Sequence, residues 1–441
     1  MLTAITLADF KSYKKARLPL APLTVLIGAN ASGKSNAIEG MRLLAWLANG
    51  QKLSGIQYAV EKGERVVRGR ISDLPYRQMN SFGLGCETSL NEWNRLDMII
   101  TRREDELHIS AETLTHSGAN VPLYTLDQPS VGHNTDVGVA YNNFSRGPNK
   151  PRVTCNDQTA IFTQLTSPAT FNGNKTSSQL IPEFVKQYER WLSDILFLDP
   201  VPARMREYSF PSEKRLRGDG ENLSGVLFNL WGGDAEVVEE PFAGQRNDVL
   251  TFIKSLPEQD ISGLSFLKEP RGGKMVQLTE TFGEKSLPYD ASLLSDGTLR
   301  VLAIAAAMLS ADEGSLVVIE EIDNGVHPSR ARHLLAQIRE IAERRKLRVL
   351  LSTHNPALLD ALPDKAIPDV VYCYRDPKDG SSRLVRLEEI PDYPELIAQG
   401  ALGYLATSGV LEKFVKNRPS GEQRQASALA WLEHMKKGDA E

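Results

Sequence analysis

The spacing of apolar positions changes several times along the 441-residue chain. Residues 1–50 read as strand, strand, loop and helix. LTVLI (residues 23–27) is short and almost wholly apolar, which suits a buried strand. After the segment GANASGKSN, the residues Ala37, Ile38, Met41, Leu44, Ala45 and Ala48 recur at helical spacing, until Asn49 and Gly50 end the pattern. From about 60 to 128 the chain reads as β-rich, and LDMIITRREDELHIS has the length and turn chemistry of a hairpin. From about 129 to 178 it is rich in Asn, Ser, Thr, Gly and Pro. That is too long for an ordinary connection, so a polar loop is expected there, either a mobile excursion or a binding loop.

Helical spacing returns over 181–196, where Phe184, Val185, Tyr188, Trp191, Leu192 and Ile195 share one side. Shorter helices are expected over 222–231 and near 248–256. No heptad pattern is sustained, so a long coiled-coil arm is not expected. Between 293 and about 375 helices and strands alternate: a helix over 298–309, the strand LVVIEE, an amphipathic helix through Leu334, Leu335, Ile338, Ile341 and Ala342, then the strands RVLLST and DVVYCY. Such alternation predicts a parallel sheet covered on both faces. The tail is mixed, with a polar-rich helix expected near its end.

Charge and composition narrow the function classes. The 51 Lys and Arg against 56 Asp and Glu give a formal net charge of -5, which argues against a protein that coats nucleic acid by bulk charge. Local basic clusters (Arg102 with Arg103, 214–217, 344–346) read as solvated faces. Three scattered cysteines fit a reduced, intracellular protein better than a disulfide scaffold or metal site. No apolar run approaches the roughly 20 residues that span a bilayer, and the first residues lack a secretory pattern. A cytoplasmic chain without membrane attachment is expected.

Four motifs carry chemistry. The first is Gly28-Ala29-Asn30-Ala31-Ser32-Gly33-Lys34-Ser35, followed by Asn36. Between a buried strand and a helix, this is a P-loop: backbone N–H groups cradle phosphate oxygens, and the helix aims its positive end at the same anion. Lys34 would reach the β- and γ-phosphates of ATP, and the Ser35 hydroxyl would ligate Mg²⁺. The second is Glu320-Glu321 at the end of an apolar strand. Acids there face the ligand edge of an open α/β sheet, with Glu320 on the magnesium side and Glu321 orienting and deprotonating the attacking water. The third is Ser295-Asp296-Gly297-Thr298, which opens a very apolar helix and reads either as an N-cap or as a second phosphate-binding helix start acting on another subunit's nucleotide. The fourth is Ser352-Thr353-His354-Asn355-Pro356, whose histidine comes after the next sheet strand and can reach a γ-phosphate.

In this order the motifs resemble the ABC ATPases, and more closely their branch of Rad50-, RecF- and OLD-like proteins. The resemblance covers residues 1–50 and about 290–375. The opening ITLADFKSYKKARLPLAPLTVLIGANASGKSN looks like that branch, in which an aromatic-containing strand precedes the P-loop. FLDPVPARMREYS, DGENLSGVLFNLW and LGYLATSGVLEKF are similar to a bacterial group of stand-alone ATPases within it. Carried over, Lys34 and Ser35 match the P-loop, Glu320 the Walker B acid, Glu321 the catalytic glutamate, and His354 the switch histidine. Ser295, Asp296, Gly297 and Thr298 match the signature. There are departures: Glu320 stands where Asp is usual in transporters, Asp296 where glycine is commonest, and Ile322 where proline comes after the catalytic acid. No segment makes a convincing Q-loop.

The fold class this implies is α/β, a P-loop NTPase with an ABC-type head built from 1–60 and 285–385. Residues 61–284 would add a β-rich part of the head and an inserted mixed domain, and 386–441 a C-terminal extension. The resemblance also implies a two-fold dimer that sandwiches ATP, with higher oligomers open. The expected role is an ATP-gated switch acting on a separate effector, a nuclease or toxin, in DNA-related or antiphage processes. One alternative is a RecF- or Rad50-like repair ATPase that binds nucleic acid. Another is a scaffold that holds nucleotide without hydrolysing it. A transporter subunit is disfavoured by the long insertion between P-loop and signature.

Overall fold

A computed structural model describes residues 1–56, 66–116, 121–171, 173–234, 242–253, 261–282, 284–323 and 328–416. The polar-rich helix expected near the end of the chain lies outside the described residues. The chain opens with a hairpin, β1 (Leu2–Phe10) and β2 (Tyr13–Pro19), then sends β3 (Leu23–Ile27) into a different sheet and continues as α1 (Lys34–Ala48). The first 50 residues thus hold one strand more than the pattern predicts. The hairpin is extended by β4 (Ser81–Thr88), β5 (Arg95–Arg103), β6 (Glu106–Thr115), β7 (Tyr124–Gln128), β8 (Asp136–Tyr141) and β9 (Arg152–Asn156). Together they form an eight-stranded antiparallel sheet in the order β2-β1-β4-β5-β6-β7-β8-β9. The expected hairpin is the β5–β6 pair, with Arg103 opposite Glu106 at its turn.

Residues 129–178 are not the polar loop that their composition predicts. They hold β8, β9, a short helix over Ile161–Gln164 and the start of α2 (Lys175–Ser193). The alternation in DVGVAY buries one face, and the Asn- and Gly-rich pieces are the turns between elements. Ile161, Phe162 and Phe171 are fully buried. The buried Glu112 carboxylate ties this segment to the sheet: it accepts from the backbone N–H of Ile161 (2.8 Å) and Phe162 (2.7 Å) and from the Tyr124 hydroxyl (2.7 Å).

The helix expected over 181–196 starts earlier because Asn174 caps it, accepting from the Ser177 N–H at 2.9 Å. It also ends earlier, since Leu196–Leu198 form β10 at the edge of the second sheet. Next in the chain are α3 (Leu223–Leu230) and α4 (Phe242–Ile253), the latter matching the helix expected near 248–256, of which 254–256 lie outside the described residues. Three strands that the sequence pattern does not predict come after them: β11 (Ile261–Lys268), β12 (Lys274–Phe282) and β13 (Lys285–Asp290), a separate antiparallel sheet. β13 is mostly exposed and β11 has one buried residue, Leu264, whereas β12 buries Met275, Val276 and Leu278, so only the middle strand carries a buried face.

The last part of the chain supplies α5 (Asp296–Ser310), β14 (Leu316–Ile319), α6 (Pro328–Arg344), β15 (Arg348–Ser352), β16 (Val370–Arg375) and β17 (Ser382–Arg386). The second sheet runs β10-β14-β15-β3-β16-β17, parallel except for the antiparallel edge strand β17. Its central strands are buried on both faces, as parallel sheets require. Along them, successive residues serve different cores. Val25, Val317 and Ile319 pack toward α5 and α6, whereas Leu26, Leu316 and Val318 pack toward α1, α2 and the eight-stranded sheet. Helix α5 is buried nearly all round, from Leu299 to Leu309, because α3 and α4 cover it. No helix among the described residues is long and apolar enough to cross a membrane.

Candidate nucleotide site and signature edge

Four parallel strands place their C-terminal ends on one edge of the second sheet. That edge is where open α/β sheets bind ligands. The P-loop leaves β3, Glu320 and Glu321 leave β14, His354 lies just past β15, and Arg375 ends β16. One pocket gathers them, lined by Ala29 to Asn36, Ile38, Arg68, Glu320, Glu321, Ser352, Thr353, His354 and Arg375. Of the residues singled out in the sequence, Asn30, Ser32, Gly33, Lys34, Ser35, Asn36, Glu320, Glu321 and His354 line this pocket. Gly28 lies at its root. Ser295, Asp296, Gly297 and Thr298 do not line it.

The P-loop is shaped by its surroundings. Gly28 (φ 148°) and Gly33 (φ 124°) adopt backbone angles that L side chains rarely take, and a Cβ would run into the Cys373 carbonyl at the first and the Ser382 hydroxyl at the second. Three distant elements pin the loop. The Tyr13 hydroxyl from β2 donates to the Gly33 carbonyl at 3.0 Å, and lies 3.3 Å from the Cys373 sulfur of β16. The Ser382 hydroxyl of β17 donates to the Ser32 carbonyl at 2.5 Å. The Arg375 Nε donates to the Ala31 carbonyl at 3.1 Å. Burial pulls the Lys34 ammonium below the ordinary lysine value, against the opposing pull of Cys373, Glu321 and Asp323. Its amine donates to the carbonyls of Gly28 (2.5 Å) and Ala29 (3.2 Å), within its own loop. Asn36 donates to the Ser12 hydroxyl at 2.8 Å.

The acids differ in setting. Glu320 is partly buried and paired at 2.8 Å with Arg42 of α1, whose guanidinium lies over the Phe197 ring of β10. Glu321 is exposed and has a left-handed backbone (φ 49°), and its N–H donates to the Ser352 hydroxyl at 3.1 Å. A non-glycine residue held there costs about 1–3 kcal/mol, and such strain clusters at functional sites. The His354 ring is largely exposed, and its Nδ1 lies 3.4 Å from Oδ2 of Asp323, a nearly buried carboxylate whose Oδ1 has no hydrogen-bond partner among the described residues. Asp323 thus stands beside the imidazole. The buried Glu39 of α1 is paired with Lys11 and with Arg68, which brings Arg68 to the pocket wall.

This donor set fits Mg²⁺. A serine hydroxyl and one carboxylate beside a glycine phosphate cradle are what that ion takes when phosphates and waters complete its shell. Arg42, Asp323, Arg68 and Arg375 are not predicted by the sequence motifs. They come from four separate elements, with no spacing between them to read.

The signature edge is built differently. The Ser295 hydroxyl caps α5 by accepting from the Thr298 N–H at 3.1 Å. Thr298 is buried, but Ser295 and Asp296 are exposed and Leu293 is 69% exposed. Arg206 pairs with Asp296 at 2.6 Å and donates to the Leu294 carbonyl at 2.9 Å.

A strand–P-loop–helix, paired acids on the adjoining strand and a histidine on the next make this a P-loop ATPase head of the ABC class, in its RecF/Rad50 branch. Residues 23–89 and 166–360, more than half of the chain, match a family described as "AAA domain, putative AbiEii toxin, Type IV TA system", and the chain belongs to that family. Among curated relatives, it is 44% identical over 66 residues to the DNA replication and repair protein RecF of Caulobacter vibrioides, covering 15% of this chain and 16% of that one. It is 36% identical over 81 residues to the protein of the same name from Acidothermus cellulolyticus, covering 17% and 22%. The matches thus span under a quarter of each relative. Among solved structures, an SMC head bound to the C-winged helix domain of ScpA aligns over 87% of this chain and 96% of its own, with a TM-score of 0.44 at 15% identity. The SMC head domain from Thermotoga maritima aligns over 87% and 98%, with a TM-score of 0.41 at 12% identity.

Proposed function

We propose that the chain is an ATP-gated dimeric switch. The observation that carries this reading is the division of the site. Phosphate cradle, acids and histidine share one pocket, while the signature stands apart with an exposed, capped helix start. Such a helix start suits the phosphates of a nucleotide held by a second copy. Two copies related by a two-fold axis would complete two sites at once.

In this reading Lys34 and the loop N–H groups bind the triphosphate, and Ser35 and Glu320 would hold Mg²⁺. The metal would supply neutralisation of the phosphate charge. Glu321 accepts a proton from water as its oxygen bonds to the γ-phosphorus, while the bond from that phosphorus to the bridging oxygen of ADP breaks. Asp323 holds His354 toward the γ-phosphate side. ATP closes the dimer, and hydrolysis opens it.

In this reading 1–60 and 285–385 would make up the discontinuous ATPase head, 61–284 its β-rich part and an inserted mixed domain, and 386–441 a C-terminal extension. The proposed output is regulation of a separate effector, a nuclease or toxin, in antiphage defence. The family description, which names a toxin of a TA system, favours it. A second reading, a DNA-repair ATPase that binds nucleic acid, is favoured by the similarity to RecF.

The test is mass in solution with and without Mg-ATP, for wild type and Glu321→Gln. An ATP-dependent dimer trapped by Glu321→Gln is expected. A mass independent of ATP in both proteins, with equally slow phosphate release, refutes the switch and leaves a nucleotide-holding scaffold. DNA fragments added to the trapped dimer separate the two outputs, since retention of DNA supports the repair reading.

A further inference from the structure

We propose that Arg206 acts in trans, on the nucleotide of the second copy, and that its pairing with Asp296 is the resting state from which it is released. This rests on the sandwich reading and adds a residue to it.

A charge conflict is built into the signature edge. Asp296 is the first residue of α5, and its side chain is 66% exposed. A carboxylate there suits the helix dipole. It also faces the space where, in the sandwich, the other copy's terminal phosphate must sit, and two anions repel. Arg206 resolves the conflict. Its guanidinium holds Asp296 at 2.6 Å and the Leu294 carbonyl at 2.9 Å, so both of its partners flank the Ser295 cap.

Its backbone is fixed from behind. Three residues on, Ser209 exchanges backbone hydrogen bonds with Lys274 of β12, and its hydroxyl accepts from the Gly225 N–H at 2.8 Å. Its side chain faces outward and is 29% exposed. Arg206 does not line the pocket of its own chain, where the arginines are Arg68 and Arg375. Large apolar side chains are exposed close to it and to its Leu294 partner in the chain: Leu293 is 69% exposed, Phe210 53%, Tyr208 39% and Val201 39%. Such a rim fits a second copy better than open water. A guanidinium with its planar fork of donors can exchange a carboxylate for a phosphate without changing the kind of bond it makes. Closure of the dimer thus delivers a cation together with the signature, and a signature bearing Asp where glycine is commoner becomes usable.

The experiment uses full chains in the Glu321→Gln background, reading the ATP concentration at which half the protein is dimeric. Arg206→Ala is expected to raise that concentration about tenfold, and Arg206→Lys less. Binding of ATP to the monomer and thermal melting stay unchanged, which shows that the variant folds. The decisive arm is mixing. Lys34→Ala alone and Arg206→Ala alone each fail to dimerise at the parent's half-point. Together they form one complete site, from the P-loop of the Arg206→Ala chain and the Arg206 of the Lys34→Ala chain, and recover ATP-dependent dimer. No recovery on mixing, or a half-point unmoved by Arg206→Ala, overturns the trans role while the sandwich stands. If the Glu321→Gln parent itself does not dimerise with ATP, the sandwich reading falls and this inference with it.

Discussion

The two halves of the proposed site are built on opposite plans. The P-loop half is closed by its own chain: β2, β16 and β17 pin the loop, and its charges already have partners in Arg42, Asp323 and Lys11. The signature half is a rim. It has one cap, one ion pair and a run of exposed apolar side chains. A pinned loop binds without reorganising, so little binding free energy is spent on ordering it. A rim gains its partners only on contact. In the proposed switch, binding and closure are therefore separable, and substitutions should sort by the half they touch.

The largest separation is expected between Lys34→Ala and Ser295→Ala. The first should weaken Mg-ATP binding to the monomer about 100-fold, close to 3 kcal/mol, as read by calorimetric titration. The second should leave monomer binding within about twofold and remove the ATP-dependent dimer. Equal losses of monomer binding would erase the division. Next comes Gly28→Ala, where a Cβ meets the Cys373 carbonyl at an unfavourable φ. It should cost about 2 kcal/mol and lower the melting temperature by roughly 5 °C. Leu293→Ser on the rim should move melting by less than about 0.5 kcal/mol yet weaken the dimer. A last substitution sharpens the comparison within the P-loop half. Asp323→Asn should slow single-turnover phosphate release about tenfold while ATP still closes the dimer, because only the orientation of His354 is lost. A dimer lost along with turnover would move Asp323 from positioning to binding.

Most of the P-loop half is legible in the sequence, for a physical reason. A parallel sheet puts the ends of buried strands on one edge, so LTVLI, LVVIEE and RVLLST each point to the chemistry at their C-terminal ends. The pins are not legible. Tyr13, Cys373 and Ser382 meet only in three dimensions, and each alone reads as an ordinary strand residue. Arg206 lies within FLDPVPARMREYS, but its partnership with Asp296 spans 90 positions. The segment 129–178 misleads because turns dominate its composition, whereas burial of Ile161, Phe162 and Phe171 decides its fold. The outer strands β11 and β13 bury little and leave little trace, and the buried residues of β12 are interrupted by polar ones.

The place of β3 has a consequence for how the protein is made. This strand leaves the ribosome more than 300 residues ahead of its sheet neighbours β15 and β16, Val349 pairing with Leu23 and Val370 with Val25. At about 5–20 residues per second, the apolar LTVLI waits tens of seconds for those partners. The hairpin of β1 and β2 on one side and α1 on the other can begin the antiparallel sheet long before then. The nucleotide cradle is thus made well before the strands that finish it. A nascent chain should gain its affinity for ATP only after β16 has emerged.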